Sequence, residues 1–400
     1  MHNTRSDEED FMKKKKWQEV AKEIFVYSAF IEKCPSDLPL PASYCVKYIG
    51  ITLSNRSNTD SSASNLKCGF KTESRIVKTG FAVSEKLPED HFKPCSAAFF
   101  YCSLKEIHDV FSWPEYATLF ESSILAWIPV EHIRNLTVNL ALNVCVRPIY
   151  DSYSILHLIE FLAYHSTMGI DHFILYHHNT THSMQMLFKF LMVFNMSIEI
   201  LPWDIPLNND LIHEYGQIVF TQDCISRSKH KFSHALIVDL DEYIVPKIHP
   251  NIKHLLEYLD NQHQNAGSYT IPMVLFCQEF QFEKSLSSPF HILYHNKRQK
   301  TPWKHWYRSK YVAKPDRVRY GGIHFVWKHS DDWQEIPVTD SLVMLHHYRH
   351  CCGMLQTWFL HLFKFYVLSD NVVIDNSLII HKPEILNHRL LNFFKYPLMS

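Results

Sequence analysis

The sequence predicts an α/β protein: a mostly parallel sheet flanked by helices, preceded by a mainly β module. From residue 140 onward, short apolar runs alternate with stretches of helical periodicity, the pattern of consecutive βα units. Before residue 140 the apolar runs are β-rich and broken by Pro, Ser and Gly. The 400 residues are 46% hydrophobic and 20% charged, enough apolar side chain to bury a large core and far from a disordered or collagen-like composition.

Along the chain, residues 1–20 form a polar arm, with acids at Asp7–Asp10 and a lysine run at Lys13–Lys16. It contains no apolar segment of the kind a signal peptide needs. The β module spans 21–139. Ile24–Ile31, Tyr44–Leu53, Ser74–Val83 and Ala97–Ser103 read as strands, and Asn55–Asn65 as a Ser/Asn-rich loop. The α/β domain spans 140–365. Leu140–Val146 is a continuous apolar run closed by Arg147-Pro148, as in a strand covered on both faces. Ser152–Met168 follows as a helix, with Ile155, Leu158, Ile159, Leu162 and Ala163 on one face and Gly169 at the stop. Phe173–Tyr176, Ile198–Leu201 and His234–Leu240 read as further strands. Ser183–Phe194, Ile212–Ser226 and Ile252–Leu259 read as helices. Residues 366–400 are a C-terminal extension.

Composition excludes several functions. Forty basic against forty-one acidic residues give a net charge of -1, which argues against a nucleic-acid partner. There are nine glycines and no Gly-rich phosphate loop. Ile24–Ile31, Ala97–Cys102 and Leu187–Phe194 are the most apolar stretches, and each is shorter than the ~18–20 residues of a membrane-spanning helix. Ten cysteines are scattered rather than spaced as a zinc ribbon. Sequons at Asn55, Asn135, Asn179 and Asn195 lend weak support to a secretory lumen.

In open parallel sheets ligands bind beyond the carboxyl ends of the strands. That rule selects Arg147–Tyr150, Tyr176–Asn179, Trp203–Asp204 and Asp239–Glu242. In the last, Ala235-Leu-Ile-Val delivers Asp239, Asp241 and Glu242 to a strand end. A period of two would place Asp239 and Asp241 on one side. Adjacent carboxylates resist ionising together unless a cation is shared, and hard divalent ions suit such a site while leaving positions for phosphates. The plain alternative is a pair of acids capping a turn. A phosphatase of the haloacid dehalogenase type also ends a strand in Asp-x-Asp, but there the motif opens the domain.

Two further clusters stand out. His346-His347-Tyr348-Arg349-His350-Cys351-Cys352 is dense in metal-ligand types without the spacing of structural zinc. His347 could complete a metal site, Arg349 could hold a phosphate, and the others could simply pack. On the helix before the acidic strand, Gln217 and Arg227 lie ten apart and share a face at about 100° per residue. Asp223 and Arg227 also form an i,i+4 pair. Lys297–Lys310 interleaves basic residues with Trp303 and Trp306, and reads as a solvated or acceptor-facing loop.

Taken in order, these residues resemble glycosyltransferase family 92, the DUF23 family. The resemblance rests on Asn143-Val-Cys-Val-Arg147-Pro148-Ile-Tyr150, Glu160-Phe-Leu-Ala-Tyr164, Met168 to Tyr176 and Gly216-Gln217. It continues with Gln222-Asp223-Cys224-Ile-Ser-Arg227, Asp239 to Pro246, Ser309-Lys310 to Pro315, Gly322-Ile-His324 and His347-Tyr348-Arg349. It covers about residues 20–360, including Phe25–Phe30 as an opening strand.

The resemblance implies a GT-A fold, with a Rossmann-like nucleotide-sugar half joined to an acceptor half. It implies transfer of a hexose, galactose from UDP-galactose above all, with Mn²⁺ or Mg²⁺ and inversion. The acceptor would be a glycan on a glycoprotein or glycolipid, for example fucose on an N-glycan core. It also implies a Golgi-lumenal, membrane-associated protein, although no anchor is visible in this chain.

On that reading Asp241, Asp239 and His347 hold the metal, with Asp239 also reaching the donor. Arg147 bounds the nucleotide base, and Gln217 and Arg227 steady the sugar or phosphates. Inversion needs a general base. Glu279, just past a strand end, is the candidate, with Asp331 and Asp332 as alternatives. The Phe276–Phe282 segment departs from the Gly/Ser-containing acceptor loop of the family. It motivates the alternative of a catalytically degenerate glycan-binding relative, its groove lined by Trp303, Trp306 and Trp327.

Overall fold

The computed structural model describes residues 16–53, 65–73, 76–105, 113–131, 140–150, 153–194, 196–280, 288–351 and 372–395. Most of the polar arm, most of the Asn55–Asn65 loop, the sequons at Asn55, Asn135 and Asn195, and Cys352 lie outside these residues.

The N-terminal module is all β. Its strands are β1 (Gln18–Ala21), β2 (Ile24–Lys33), β3 (Tyr44–Leu53), β4 (Lys67–Lys71), β5 (Ile76–Phe81), β6 (Val83–Lys86), β7 (Cys95–Ser103), β8 (Tyr116–Phe120) and β9 (Ile128–Glu131). They form one sheet in the order β5-β4-β8-β9-β2-β3-β7-β6, with β1 added on β2. The long central strands are buried on both faces, so β2, β3 and β7 read as unbroken apolar runs rather than alternating ones. A disulfide between Cys68 and Cys102 ties β4 to β7. The sheet begins earlier than the sequence suggests. Trp17, inside the arm of residues 1–20, is 6% exposed and packs tilted against Tyr27 and edge-to-face against Trp203.

The second sheet carries the alternation read from residue 140. β10 (Leu142–Ile149), β11 (His172–His177), β12 (Ile198–Pro202) and β13 (His234–Val238) are all parallel. α1 (Ile155–Thr167), α2 (His182–Val193) and α3 (Gln217–Ser228) connect them. Each start has a local cause. Ser154 caps α1 by accepting from the amides of Leu156 and His157, and Thr181 caps α2 through the amide of Met184. After the α1 cap, Gly169 takes φ +89°, the left-handed stop that glycine adopts without strain. α3 starts five residues later than its periodicity suggests, because Gly216 at φ +81° ends a short 3₁₀ turn, His213–Tyr215, just before it.

After β13 the chain crosses into a smaller sheet through β14 (Glu242–Pro246), then runs through α4 (Ile252–Gln262) to β15 (Ala266–Ile271), β16 (Met273–Cys277) and β17 (Lys297–Gln299). Strands β18 (Lys310–Ala313), β19 (Val318–Gly321), β20 (Val326–His329), β21 (Gln334–Pro337), β22 (Val343–Arg349) and β23 (Val372–Ile374) complete the fold with α5 (Lys382–Leu386). The main sheet runs β12-β11-β10-β13-β18-β15-β21, with β18 antiparallel to both neighbours. The small sheet runs β14-β22-β16. This parallel sheet with one reversed strand, carrying a second small sheet at its carboxyl end, is the GT-A arrangement.

The C-terminal segment is built into the domain rather than appended to it. β23 pairs with β17, and Leu378, Ile385, Leu390 and Phe393 join the main core. The β module packs against the face of the main sheet that carries α3. One apolar cluster unites Trp17, Tyr27 and Phe99 of the module with Trp203, Val219 and Ile225. Charges cross the same seam: Glu32 of β2 lies 2.9 Å from both Lys47 of β3 and Lys229, which follows α3.

Candidate functional site

β13 ends at Val238, one residue short of the acids. Asp239, Leu240 and Asp241 form the turn that passes from the main sheet to the small one, and β14 starts at Glu242. The strand period therefore stops before the motif, and the two aspartates acquire different partners.

Asp239 is 14% exposed and spanned by cations. Lys310 Nζ lies 3.0 Å from its Oδ2, and Arg147 Nε lies 3.8 Å from its Oδ1. Burial alone would raise its pKa, but these two cations outweigh it and hold the carboxyl far below the usual range. Asp241 is 38% exposed and faces His347, whose Nε2 is 3.2 Å from Asp241 Oδ2. Register explains how a residue so late in the chain arrives there: β14 and β22 are antiparallel with His347 opposite Glu242. The imidazole is steadied on its other side, Nδ1 lying 3.5 Å from Glu242 Oε1. Glu242 Oε2 in turn accepts the Asp239 amide at 2.8 Å and sits 3.4 Å from Lys310 Nζ. Burial lowers the His347 pKa, but Asp241 and Glu242 outweigh it and leave the ring raised.

Asp241 and His347 fit a divalent cation. Two ligand atoms about 2.1 Å from one octahedral ion stand about 3 Å apart, close to the Asp241–His347 separation. Mixed carboxylate and imidazole donors suit Mn²⁺ better than Mg²⁺. Asp239 is corrected as a direct ligand: its oxygens belong to Lys310 and Arg147, and it does not close with Asp241 and His347 into a tight three-ligand group. Among the described residues such a group occurs at Cys277, Glu279 and Cys351. There the two cysteines form a disulfide, which removes them as ligands.

Arg147, two residues before the end of β10, donates from Nε to Tyr153 Oη at 2.9 Å. It also lies 3.8 Å from Glu214 Oε2. Glu214 and Tyr215 stand in the left-handed region, at φ 43° and 51°, next to Gly216. Two adjacent non-glycine residues there are strained. The turn is held by Trp203 Nε1 donating to the Tyr215 carbonyl at 2.7 Å, and by Asn209 Oδ1 accepting the Tyr215 amide at 2.7 Å. The result is an aromatic rim over the ends of β10 and β11: Tyr215 packs at 5.1 Å from both Tyr150 and His178.

On the other side of Asp241 a small cleft of about 40 Å³ is lined by Tyr153, His157 and Glu160 around α1, Asp241 and Tyr243, Gln278 beyond β16, His291 and Ile292, and Tyr348. Glu279, one residue past Gln278, is outside this lining. Its carboxylate accepts the Cys351 amide at 3.0 Å and so braces the segment after β22. Asp331 and Asp332 are exposed in the turn between β20 and β21, at the far edge of the main sheet. Asp331 and Asp332 thus lie away from this cleft, whereas Glu279 borders it beside Gln278.

Gln217 opens α3, buried, at the carboxyl end of the strands. Arg227 is corrected as a donor-binding residue. Ten residues of helix separate it from Gln217 by about 15 Å. Its guanidinium is buried among Asp223 (2.7 Å), Glu131 of β9 (3.1 Å) and Glu199 near the start of β12 (3.2 Å). That is the opposite end of the sheet, where it joins the two modules. Trp303, Trp306 and Trp327 also lie outside the cleft lining. Trp303 donates to Gln299 at 2.9 Å, Trp306 to Glu335, and Trp327 to Glu89 of the β module at 2.8 Å.

Sequence reasoning missed Lys310, Glu214 and Glu160 as site residues. Lys310 and Glu160 both stand inside runs that carried the family resemblance, so the signal was there. Glu214 has none beyond its place before Gly216.

No helix of the described residues is long and apolar enough to cross a membrane. No curated protein matches the chain by sequence. Among solved structures it is similar to TarS 1–349 of S. aureus in complex with UDP, at 12% identity and TM-score 0.32, over 64% of this chain and 72% of that one. It is similar to the bifunctional WbbM, at 11% identity and TM-score 0.24, over 38% and 27%. It is also similar to the 4-diphosphocytidyl-2C-methyl-D-erythritol synthase of Anaerococcus prevotii, at 9% and 0.26, over 52% and 87%. The sequence model of glycosyltransferase family 92 matches residues 141–376. That span is more than half of the chain and holds the acidic turn, His347 and the whole cleft, so this chain belongs to glycosyltransferase family 92.

Proposed function

We propose that the chain transfers a hexose, galactose in the first instance, from a UDP-sugar to a glycan acceptor with inversion and with Mn²⁺. The observation that carries this is the Asp241–His347 pair at the mouth of a cleft, beside an Asp239 already neutralised by Lys310 and Arg147. The rim of Tyr150, Tyr215 and His178 offers aromatic faces to a nucleobase. Glu214, pinned by a strained turn, presents a carboxylate suited to ribose hydroxyls, as acids do at the switch point of other nucleotide-binding sheets. Arg147, beside the acidic turn, places positive charge where a diphosphate would lie.

A divalent ion held by Asp241 and His347 would offset the charge that builds on the departing diphosphate. The protein does the rest. Arg147 orients the diphosphate, Lys310 balances the inner acids Asp239 and Glu242, Glu242 fixes His347, and the cleft beyond Asp241 borders the sugar and the acceptor while limiting water. Three disulfides, Cys68–Cys102, Cys145–Cys224 and Cys277–Cys351, support residence in an oxidising lumen, with the Golgi the compartment proposed. The acceptor proposed is a glycan on a glycoprotein or glycolipid.

The test is transfer from UDP-galactose across a glycan array with Mn²⁺, comparing wild type with Asp241→Ala. Loss of Mn²⁺-dependent transfer in the variant is expected. Undiminished turnover would reject the metal assignment.

A further inference from the structure

The cleft beside Asp241 contains a second acid to which the chemistry above gives no task. Glu160 lies on α1, is 1% exposed, and lines the cleft together with Asp241. Its neighbours on the helix, Leu158, Ile159, Phe161 and Leu162, are buried apolar side chains. A carboxylate in such surroundings is costly unless it is compensated. No cation compensates it: among the described residues no lysine, arginine or histidine forms an ion pair with Glu160. Two backbone amides hold it instead. Ile292 N–H donates to Oε1 at 2.7 Å and His291 N–H to Oε2 at 3.1 Å. An ionised carboxylate has about four lone-pair sites, so one on each oxygen remains available.

We propose that Glu160 is the general base of the transfer, accepting the proton of the acceptor hydroxyl that enters between α1 and the His291–Leu293 segment. The proposal rests on the glycosyl-transfer reading and deepens it. As the acceptor oxygen forms its bond to the anomeric carbon, its proton passes to a Glu160 oxygen. The bond from that carbon to the diphosphate oxygen breaks, and its electron pair leaves with the diphosphate. The neutral Glu160 then gives the proton to water once the product departs.

Two features support this beyond position. Burial lifts the Glu160 pKa to about 7, against the downward pull of its two amide donors, which is the range in which a base works best near neutral pH. Of the other groups around the cleft, His347 at its mouth and Glu242 behind it are also raised, while those that line it are shifted away from neutrality. His291 is held at about 3 by burial and by His295, His157 and His350. His157 on α1 is lowered by burial. Tyr243 on β14, Tyr348 on β22 and Tyr294 are raised by burial. Asp241 is raised by burial but lowered more by His347.

The experiment uses the full chain with Mn²⁺ and UDP-galactose, UDP-glucose or UDP-N-acetylglucosamine, with water standing in for the acceptor. Donor hydrolysis and calorimetric UDP–Mn²⁺ binding are measured for wild type, Glu160→Gln and Glu160→Asp. The proposal expects kcat of Glu160→Gln to fall roughly 10²–10⁴-fold. UDP–Mn²⁺ affinity should stay within about twofold, and the acid limb of the kcat profile, measured at saturating UDP-sugar and Mn²⁺ so that His347 is held by the metal, should weaken. Glu160→Asp should keep measurable turnover and the limb. Wild-type turnover in Glu160→Gln, or an unchanged acid limb, overturns the proposal and leaves the transferase reading intact. If Glu160→Gln does not fold, the wild-type profile decides: kcat/KM flat from about pH 5.5 to 8 overturns it. A wild-type chain that binds UDP–Mn²⁺ yet neither cleaves a donor in water nor transfers it across a glycan array sinks the transferase reading and this proposal with it.

Discussion

Lys310 Nζ lies between two acids, 3.0 Å from Asp239 Oδ2 and 3.4 Å from Glu242 Oε2, and is itself only 2% exposed. The acidic turn therefore does not wait for a metal to become electrostatically tolerable. Its inner half is balanced by a resident ammonium, and its outer half, Asp241 with His347, remains open. Removing Lys310 should leave Asp239 with only Arg147, 3.8 Å away, and Glu242 with only the His347 imidazole, 3.5 Å away. Lys310→Met is expected to destabilise the fold by about 3–5 kcal/mol in urea denaturation. Adding Asp239→Asn should recover part of that loss, with a coupling energy of about 0.5–3 kcal/mol. Strict additivity of the two substitutions would show that the pair does not interact.

The same division of labour separates the two aspartates in binding. Asp241→Asn and His347→Ala should each weaken Mn²⁺-dependent UDP binding by more than the ~10–100-fold typical of losing an outer partner of a metal ligand. Asp239→Asn should leave the Mn²⁺ requirement in place, because its carboxylate faces Lys310 and Arg147. Titration calorimetry with UDP at several Mn²⁺ concentrations measures all three. Equal losses for both aspartates would restore the symmetric two-aspartate site that the spacing alone suggests.

That symmetric site shows how far the sequence could be read. The βα alternation from 140 to 260 was legible because apolar runs and helical stripes are local signals, and Leu140–Val146 and the Ile155–Ala163 face fell where expected. The acidic motif was legible for the same reason. Its geometry was not, because β13 stops at Val238 and period-two logic fails in the turn that follows. Arg227 was misplaced because a shared helix face says nothing about which end of a sheet that face reaches. Lys310 was hidden because β18 enters the main sheet reversed between β13 and β15, a pairing set by tertiary contacts. Strands β4, β8 and β9 escaped because four- and five-residue runs carry too little periodicity.

The seam between the modules depends on Glu32. It is nearly buried, and it compensates Lys47, whose side chain is 1% exposed, together with Lys229 across the boundary. Burial would raise the Glu32 pKa, but the two lysines hold it at about 2. A carboxylate depressed in the folded state stabilises above its unfolded pKa, and that contribution fades as pH falls toward 2. Glu32→Gln should therefore cost about 3–5 kcal/mol at neutral pH by stranding a buried ammonium. The difference from wild type should shrink in acid. Denaturation at pH 7 and pH 3 checks this, and a pH-independent difference would show that the lysines find other partners.

Glu160 gives the opposite sign. Its pKa is raised from about 4.5 to about 7, so the folded state holds a proton that the unfolded chain has released. Stability contributed by the protonated form is intact below the unfolded pKa and is lost as pH rises through about 7. A shift of this size corresponds to about 3 kcal/mol, without discount for screening because the side chain is buried. Glu160→Gln carries no such titration. Relative to wild type it should gain stability between pH 4 and pH 8 by up to that amount, even if it is the less stable protein in acid, where a protonated carboxyl and an amide differ only in hydrogen bonding. Paired urea denaturation across this range isolates the effect from the other titrating groups, which are common to both proteins. A difference that stays constant with pH would mean that the amides of His291 and Ile292 keep Glu160 ionised in the folded state, and the same result would remove the near-neutral ionisation on which its role as a base depends.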